Sequence, residues 1–192
     1  MPSIVVGMGR VSQAKAHENR QRVVATAARV FRERGVPGVS VADLMAAAGL
    51  THGGFYKQFA SKEALVAEAV TQAFEESAEV AQSFEDSAAQ FVQWYLSPGH
   101  RDQPGNGCAA AGFAVDIARE GADSDARAPY AAGIESYAEQ LGGDLAAVST
   151  LVGALVLARA TAGTDLSDRI LAAARADLID RLGRAEAPSA AG

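Results

Sequence analysis

Apolar residues recur every three to four positions along most of the chain, the spacing of helix faces, and nowhere in the two-residue alternation of a strand. Between about residues 17 and 34, Val23, Ala27, Val30 and Phe31 share one face, with Arg and Glu between them. Gly35 and Pro37-Gly38 end that run. Ser40, with Asp43 three residues on, has the form of a capping box and opens a short helix over 41–48. Gly49 breaks it, and Thr51 can cap another short helix to about Phe59. Ser61 caps the next, whose inner face reads Leu65, Val66, Val70 and Phe74, with Glu63 complementing the dipole of its first turn. An aromatic-bearing helix follows to about Leu96, and 97–107, with two prolines and three glycines, reads as a loop. Helices over about 108–119, 126–141, 144–161 and 167–182 complete an all-α chain of about nine helices.

Breaks in the pattern divide the chain. Residues 1–14, with Pro2, Gly7 and Gly9, have no amphipathic period and read as a flexible arm, within which Met1 or Met8 can be the start. Residues 15–62 form a three-helix head, 63–184 a helical body, and 185–192 a disordered tail. Gly7-Met8-Gly9 lacks the third glycine and the later acid of a dinucleotide fingerprint.

Composition narrows the classes. The chain has 192 residues, 49% hydrophobic and 21% charged, an ordinary globular balance with room for one domain or two small ones. It has no apolar stretch long enough to span a bilayer and no secretory n-region, so the expectation is a soluble cytoplasmic protein without a membrane partner. One cysteine and three scattered histidines predict neither an internal disulfide nor a metal centre, and no cofactor is expected.

The net charge of -6 hides a split. Residues 1–62 carry nine Lys and Arg against three acids, and the remainder is strongly acidic. A basic first third on an acidic body points to a polyanion meeting the head.

The two short helices joined by Ala48-Gly49-Leu50-Thr51 have helix-turn-helix spacing. In such a motif the first helix braces the second, whose N-terminal residues enter the major groove. Phe55 and Phe59, four apart, can face the core, leaving His52, Gly53, Tyr56 and Lys57 elsewhere around the helix. Two glycines inside a helix cost about 1 kcal/mol each relative to alanine, a cost that makes sense where bare backbone presses on DNA. Gly53-Gly54 can also simply end a loop, Tyr56 can be a half-buried core residue and Lys57 a solvated one.

From Arg20 to Val70 the chain resembles the DNA-binding domain of the TetR family of transcriptional regulators. The matching segments are Ala27-Ala28-Arg29-Val30-Phe31, Arg34-Gly35, Ser40-Val41-Ala42-Asp43-Leu44, Ala48-Gly49-Leu50-Thr51, and the run from Phe55 to Leu65. The resemblance implies that Ser40 contacts phosphate, that Thr51, His52, Gly53 and Gly54 face bases or the sugar-phosphate wall, and that Tyr56, Lys57 and Lys62 hold phosphates. Gln58 stands where the family often has histidine. It further implies a helical ligand-binding and dimerisation body, a double-stranded operator, a small-molecule effector and a repressor released by that effector.

In the body, Leu151 to Ala158 is apolar on every side, which predicts burial all round. Pairing this helix and the last one with their symmetry mates would form a four-helix interface from Val148, Leu151, Val152, Leu155, Leu171, Leu178 and Leu182; both helices can instead be internal core. Phe91, Trp94, Tyr95, Phe113 and Tyr137 are candidate walls of an effector pocket, or core packing. Cys108 opens a helix, where free amides stabilise a thiolate, so a thiol sensor of electrophiles or oxidants is an alternative; so is a small buried residue. The Leu155-Val156-Leu157-Ala158-Arg159 segment also looks like a TetR subgroup with electrophile-responsive members. An enzyme is not expected. A helical enzyme lacks a Glu-x-x-His pair or a nucleophile elbow here, and an adaptor docking an acidic protein through its basic head remains a further alternative.

Overall fold

The computed structural model describes residues 6–84 and 87–186, with side chains from 13 to 184. Among them lie nine α-helices, two 3-10 turns and no strand. The helices are α1 (Val6–Arg34), α2 (Val41–Ala47), α3 (Lys62–Gln82), α4 (Ala88–Tyr95), α5 (Pro98–Arg101), α6 (Ala109–Arg119), α7 (Arg127–Gln140), α8 (Leu145–Ala160) and α9 (Asp165–Glu186). No single described helix is long and apolar enough to cross a membrane.

Several expected boundaries move. Residues 6–14, expected as a flexible arm, continue α1, because extending an existing helix adds one hydrogen bond per residue fixed and tolerates Gly7 and Gly9. Residues 1–5 lie outside the described part. The last helix runs past Leu182 to Glu186, so the expected tail begins later, and 187–192 lie outside the described part. The third helix of the head is a 3-10 turn, His52–Lys57. The expected loop 97–107 holds α5 and a second 3-10 turn, Pro104–Asn106. Proline fits the first helical position, and the Ser97 hydroxyl accepts from the His100 amide at 3.2 Å.

The head closes on the periodic face of α1. Val23, Ala27 and Phe31 pack with Leu44 and Met45 of α2, with Phe55 and Phe59, and with Leu65 of α3, all buried. Full burial of each large side chain is worth about 1.5–3 kcal/mol. α3 then runs on into the body, where Phe74 meets Tyr130 and Tyr137 of α7 edge-on at 5.6 and 5.1 Å. α8 and α9 form a hairpin in which the Ser167 hydroxyl donates to the Ala158 carbonyl at 2.7 Å.

Four hydrogen bonds join the parts. Arg32 of α1 donates to the Gly107 carbonyl at 2.9 Å and reaches Glu76 of α3 at 2.5 Å. The Val36 amide donates to Asp116 of α6 at 2.7 Å. Lys62 donates to the Val36 carbonyl at 2.7 Å, tying the start of α3 to the end of the α1 turn.

Candidate nucleic-acid interface and body cavity

The capping box at Ser40 forms in full. The Asp43 amide donates to the Ser40 hydroxyl and the Ser40 amide to the Asp43 carboxylate, both at 3.1 Å. The Ser40 hydroxyl also donates to the Asp43 carboxylate at 2.6 Å, and this bond, followed by the one from the Ser40 amide, holds the Asp43 carboxyl below its ordinary value. α2 ends with Gly49 at φ +70°, a left-handed conformation that glycine adopts without a Cβ penalty. The Leu50 amide returns to Met45 O at 2.8 Å and the Gly49 amide to Ala46 O at 3.0 Å, the paired bonds of a Schellman ending. This tight turn delivers the chain to Thr51, which holds the N-cap position without a side-chain cap bond.

In the 3-10 turn, Phe55 is fully buried and Phe59 follows at the end, their rings 5.3 Å apart. His52, Gly53, Tyr56 and Lys57 are exposed on the other side, Tyr56 at 67%, and Ser40 and Thr51 are exposed beside them. A Cβ at Gly53 would meet nothing within 4 Å, so the fold itself does not require glycine there. Gly54 is half-buried above the Met45 methyl. Tyr56 is no core residue; its ring meets Phe55 edge-on at 5.1 Å and stands out from the surface.

Two expectations about charge change. Lys62 is half-buried and its ammonium serves the Val36 carbonyl, so it braces the head before it can meet a phosphate. Of the bases on α1, Arg32 is buried and Arg20 is engaged by Glu68 of α3 while lying 4.7 Å from the Phe59 ring centre. The basic excess of the head is thus partly spent on its own structure.

In the body, a cavity of about 400 Å³ lies between α3, α4, α7 and α8. Phe91, Trp94, Tyr95, Cys108 and Tyr137 line it, as does His100, which no local sequence pattern marks. Phe113 does not: it is fully buried on the inner face of α6, in the core. His100 accepts the Cys108 amide on Nε2 at 3.1 Å, which leaves Nδ1 to donate to the Tyr95 carbonyl at 2.7 Å. Burial drives its pKa down to about 4, so the ring is neutral. It stacks on Trp94 with ring centres 4.7 Å apart.

Cys108 is 3% exposed and caps α6, with its sulfur accepting from the Ala111 amide at 3.4 Å. His100 takes the backbone amide of Cys108, so it is not a base for the thiol. This environment does not favour the thiol-sensor alternative.

Five of the seven proposed interface residues also need correction. Val148, Leu151, Leu155, Leu171 and Leu178 are buried within the single chain, and Val152 and Leu182 are half-buried. Side chains with almost no exposed area have nothing left to bury against a partner. Within the single chain α8 exposes Leu145 and Leu157, at 59% and 56%, and α9 exposes Leu166 at 47%.

The described residues thus form a short-turn helix-turn-helix head on an all-helical body with its own cavity. Residues 23–69 match the family of bacterial regulatory proteins described as the tetR family. The repressor DhaR of Mycobacterium sp. (strain GP1) is 32% identical over 51% of this chain and 52% of its own length. The regulator AcrR of Shigella flexneri is 36% identical over 32% of this chain and 28% of its own. The chain therefore spans about half or less of the curated relatives it matches. A crystal structure of a TetR-family regulator from Cytophaga hutchinsonii superposes with a TM-score of 0.68, covering 86% of this chain and 95% of that one at 21% identity, a likeness of fold. The sequence match to the tetR family thus lies in the head, at residues 23–69, and the likeness of fold extends over most of the chain.

Proposed function

We propose that this chain is a DNA-binding transcriptional regulator, acting as a homodimer and released from a palindromic operator by a small molecule held in the body. The observation that carries this reading is the two-sided turn at 52–59: Phe55 and Phe59 anchor it in the core, while His52, Gly53, Tyr56 and Lys57 face outward. An exposed tyrosine and lysine beside a bare glycine suit phosphate contacts with close backbone approach to the groove. Thr51 adds an exposed hydroxyl donor, and Ser40, whose hydroxyl proton is held by the Asp43 carboxylate at 2.6 Å, is exposed at the start of α2. With Gly53 and Gly54 contributing no side chains, base reading falls to His52 and to groove shape.

A second copy of the chain is the natural cover for Leu145, Leu157 and Leu166, whose exposed area on α8 and α9 supports a four-helix contact. Two heads then read half-sites one helical turn apart. Occupancy of the cavity reaches the head through α3, which carries cavity residues at its far end and Ser61-Lys62 at its near end. A ligand that binds the misaligned spacing better lowers DNA affinity, by about 5–150-fold for a coupling of about 1–3 kcal/mol.

Selection of bound duplexes from a random pool, followed by gel-shift titration of the enriched sequence, tests the reading. Tyr56→Ala and Lys57→Ala, both at exposed positions, should each weaken the shift, and together abolish it, with the helical signal unchanged. Shifts unaffected by both, or no enriched sequence at low salt, would overturn it.

A further inference from the structure

The Tyr95 hydroxyl is buried in the wall of the body cavity with no hydrogen-bond partner. A buried donor left unpaired is destabilising, and pairing it recovers that cost. The groups around it offer little. His100 has both ring nitrogens committed to backbone, and the Cys108 sulfur, a weak acceptor, is already used by the Ala111 amide. The Tyr137 hydroxyl lies 4.0 Å from the Cys108 sulfur. Burial, with Cys108 and Tyr137 as neighbours, pushes the Tyr95 phenol well above its ordinary value, so it stays an O–H donor.

The rest of the wall limits what can occupy the space. Among the described residues no Lys, Arg, Asp or Glu lines it; their polar groups are amides, hydroxyls, a thiol and the neutral His100. An ion entering would lose its water against described side chains that are all neutral, while the neighbouring Arg159 guanidinium is engaged by the Arg101 and His100 carbonyls. The apolar part is aromatic, with Phe84, Phe91 and Trp94 forming one side, Phe84 and Trp94 at 5.5 Å between ring centres. A cavity of about 400 Å³ is of drug-like scale.

We propose that the cavity takes an uncharged aromatic molecule whose carbonyl or ether oxygen accepts the hydrogen bond of Tyr95. This names the ligand class for the effector site of the proposed regulator and rests on that reading only for its regulatory consequence.

The probe is benzophenone, compared with diphenylmethane, which lacks the acceptor, and 4-benzoylbenzoate, which adds a negative charge. Trp94 is the chain's single tryptophan and lines the cavity, so quenching of its emission reports occupancy, with calorimetry as a second readout. Benzophenone should bind at least tenfold tighter than either analogue. Tyr95→Phe should weaken benzophenone about tenfold and leave diphenylmethane unchanged. Equal binding of ketone and hydrocarbon by the wild-type chain, tighter binding of the benzoate, or an unchanged ketone affinity in Tyr95→Phe would overturn the proposal; the first two need no variant. Gel shifts on the same samples separate the two ideas. Tyr95-dependent ketone binding without any DNA shift sinks the regulator and keeps the ligand class; a DNA shift with no ketone binding does the reverse.

Discussion

Arg32, on the last turn of the head's first helix, donates to the carbonyl of Gly107 at 2.9 Å, one residue before Cys108 in the cavity wall. The same buried guanidinium holds Ala28 O at 2.9 Å and Glu76 at 2.5 Å. One side chain thus fastens α1, α3 and the loop before α6. Arg32→Ala should cost about 1–3 kcal/mol, because the Gly107 carbonyl and the Glu76 carboxylate lose their donor. Arg32→Lys should recover only part, since a point charge cannot reproduce the planar fork. Urea midpoints of the three proteins check this.

Lys57 is exposed, and its proposed role is a single phosphate contact. DNA affinity should fall linearly in a plot of its logarithm against that of salt concentration, and Lys57→Ala should flatten the slope by about 1. Gel shifts over a range of salt concentrations measure it.

Leu157 is 56% exposed on α8, so replacing it costs the single chain little. Leu157→Asp should convert a dimer to a monomer in sedimentation velocity while preserving the helical signal. The same change at Leu155, fully buried, should unfold the body instead.

His100 gives stability a pH dependence of known sign. Its folded pKa near 4 lies below the ordinary 6.5, so the unfolded chain binds the proton more readily. The contribution is complete above about pH 6.5 and is lost as pH falls toward 4. It amounts to about 3 kcal/mol over the whole window, about 2 of it by pH 5. Denaturation curves between pH 7.5 and 5 should show this loss in the wild-type chain and a flatter profile in His100→Gln.

Gly133 packs against the face of Phe74, and a Cβ there would lie 2.4 Å from ring atoms. Gly133→Ala should destabilise by about 1–3 kcal/mol despite alanine's better helix propensity, because α3 and α7 must separate. A thermal melt decides between the two effects, since propensity alone would raise the midpoint.

The head was legible because its signals are local. The Ser40–Asp43 box, the Gly49 stop and the Ser61 cap act over three or four residues, and the buried pair Phe55 and Phe59 follows from their spacing. The 3-10 winding of 52–57 was not, since two glycines weaken any helix without specifying which kind replaces it. In the body, Phe113 and Tyr95 look alike in the sequence, yet one fills the core and the other walls a cavity. His100 carried no signal because proline and glycine around it read as loop.

Helix periods, caps and turn residues are properties of neighbours along the chain, so the sequence alone determined an all-helical protein and the anchored and free sides of its short turn. Which face of α8 meets the chain's own core, where a void remains among the aromatics, and that Arg32 and Lys62 serve carbonyls instead of solvent depend on residues tens of positions apart. Those pairings exist only once the helices pack, and packing is a joint property of all of them.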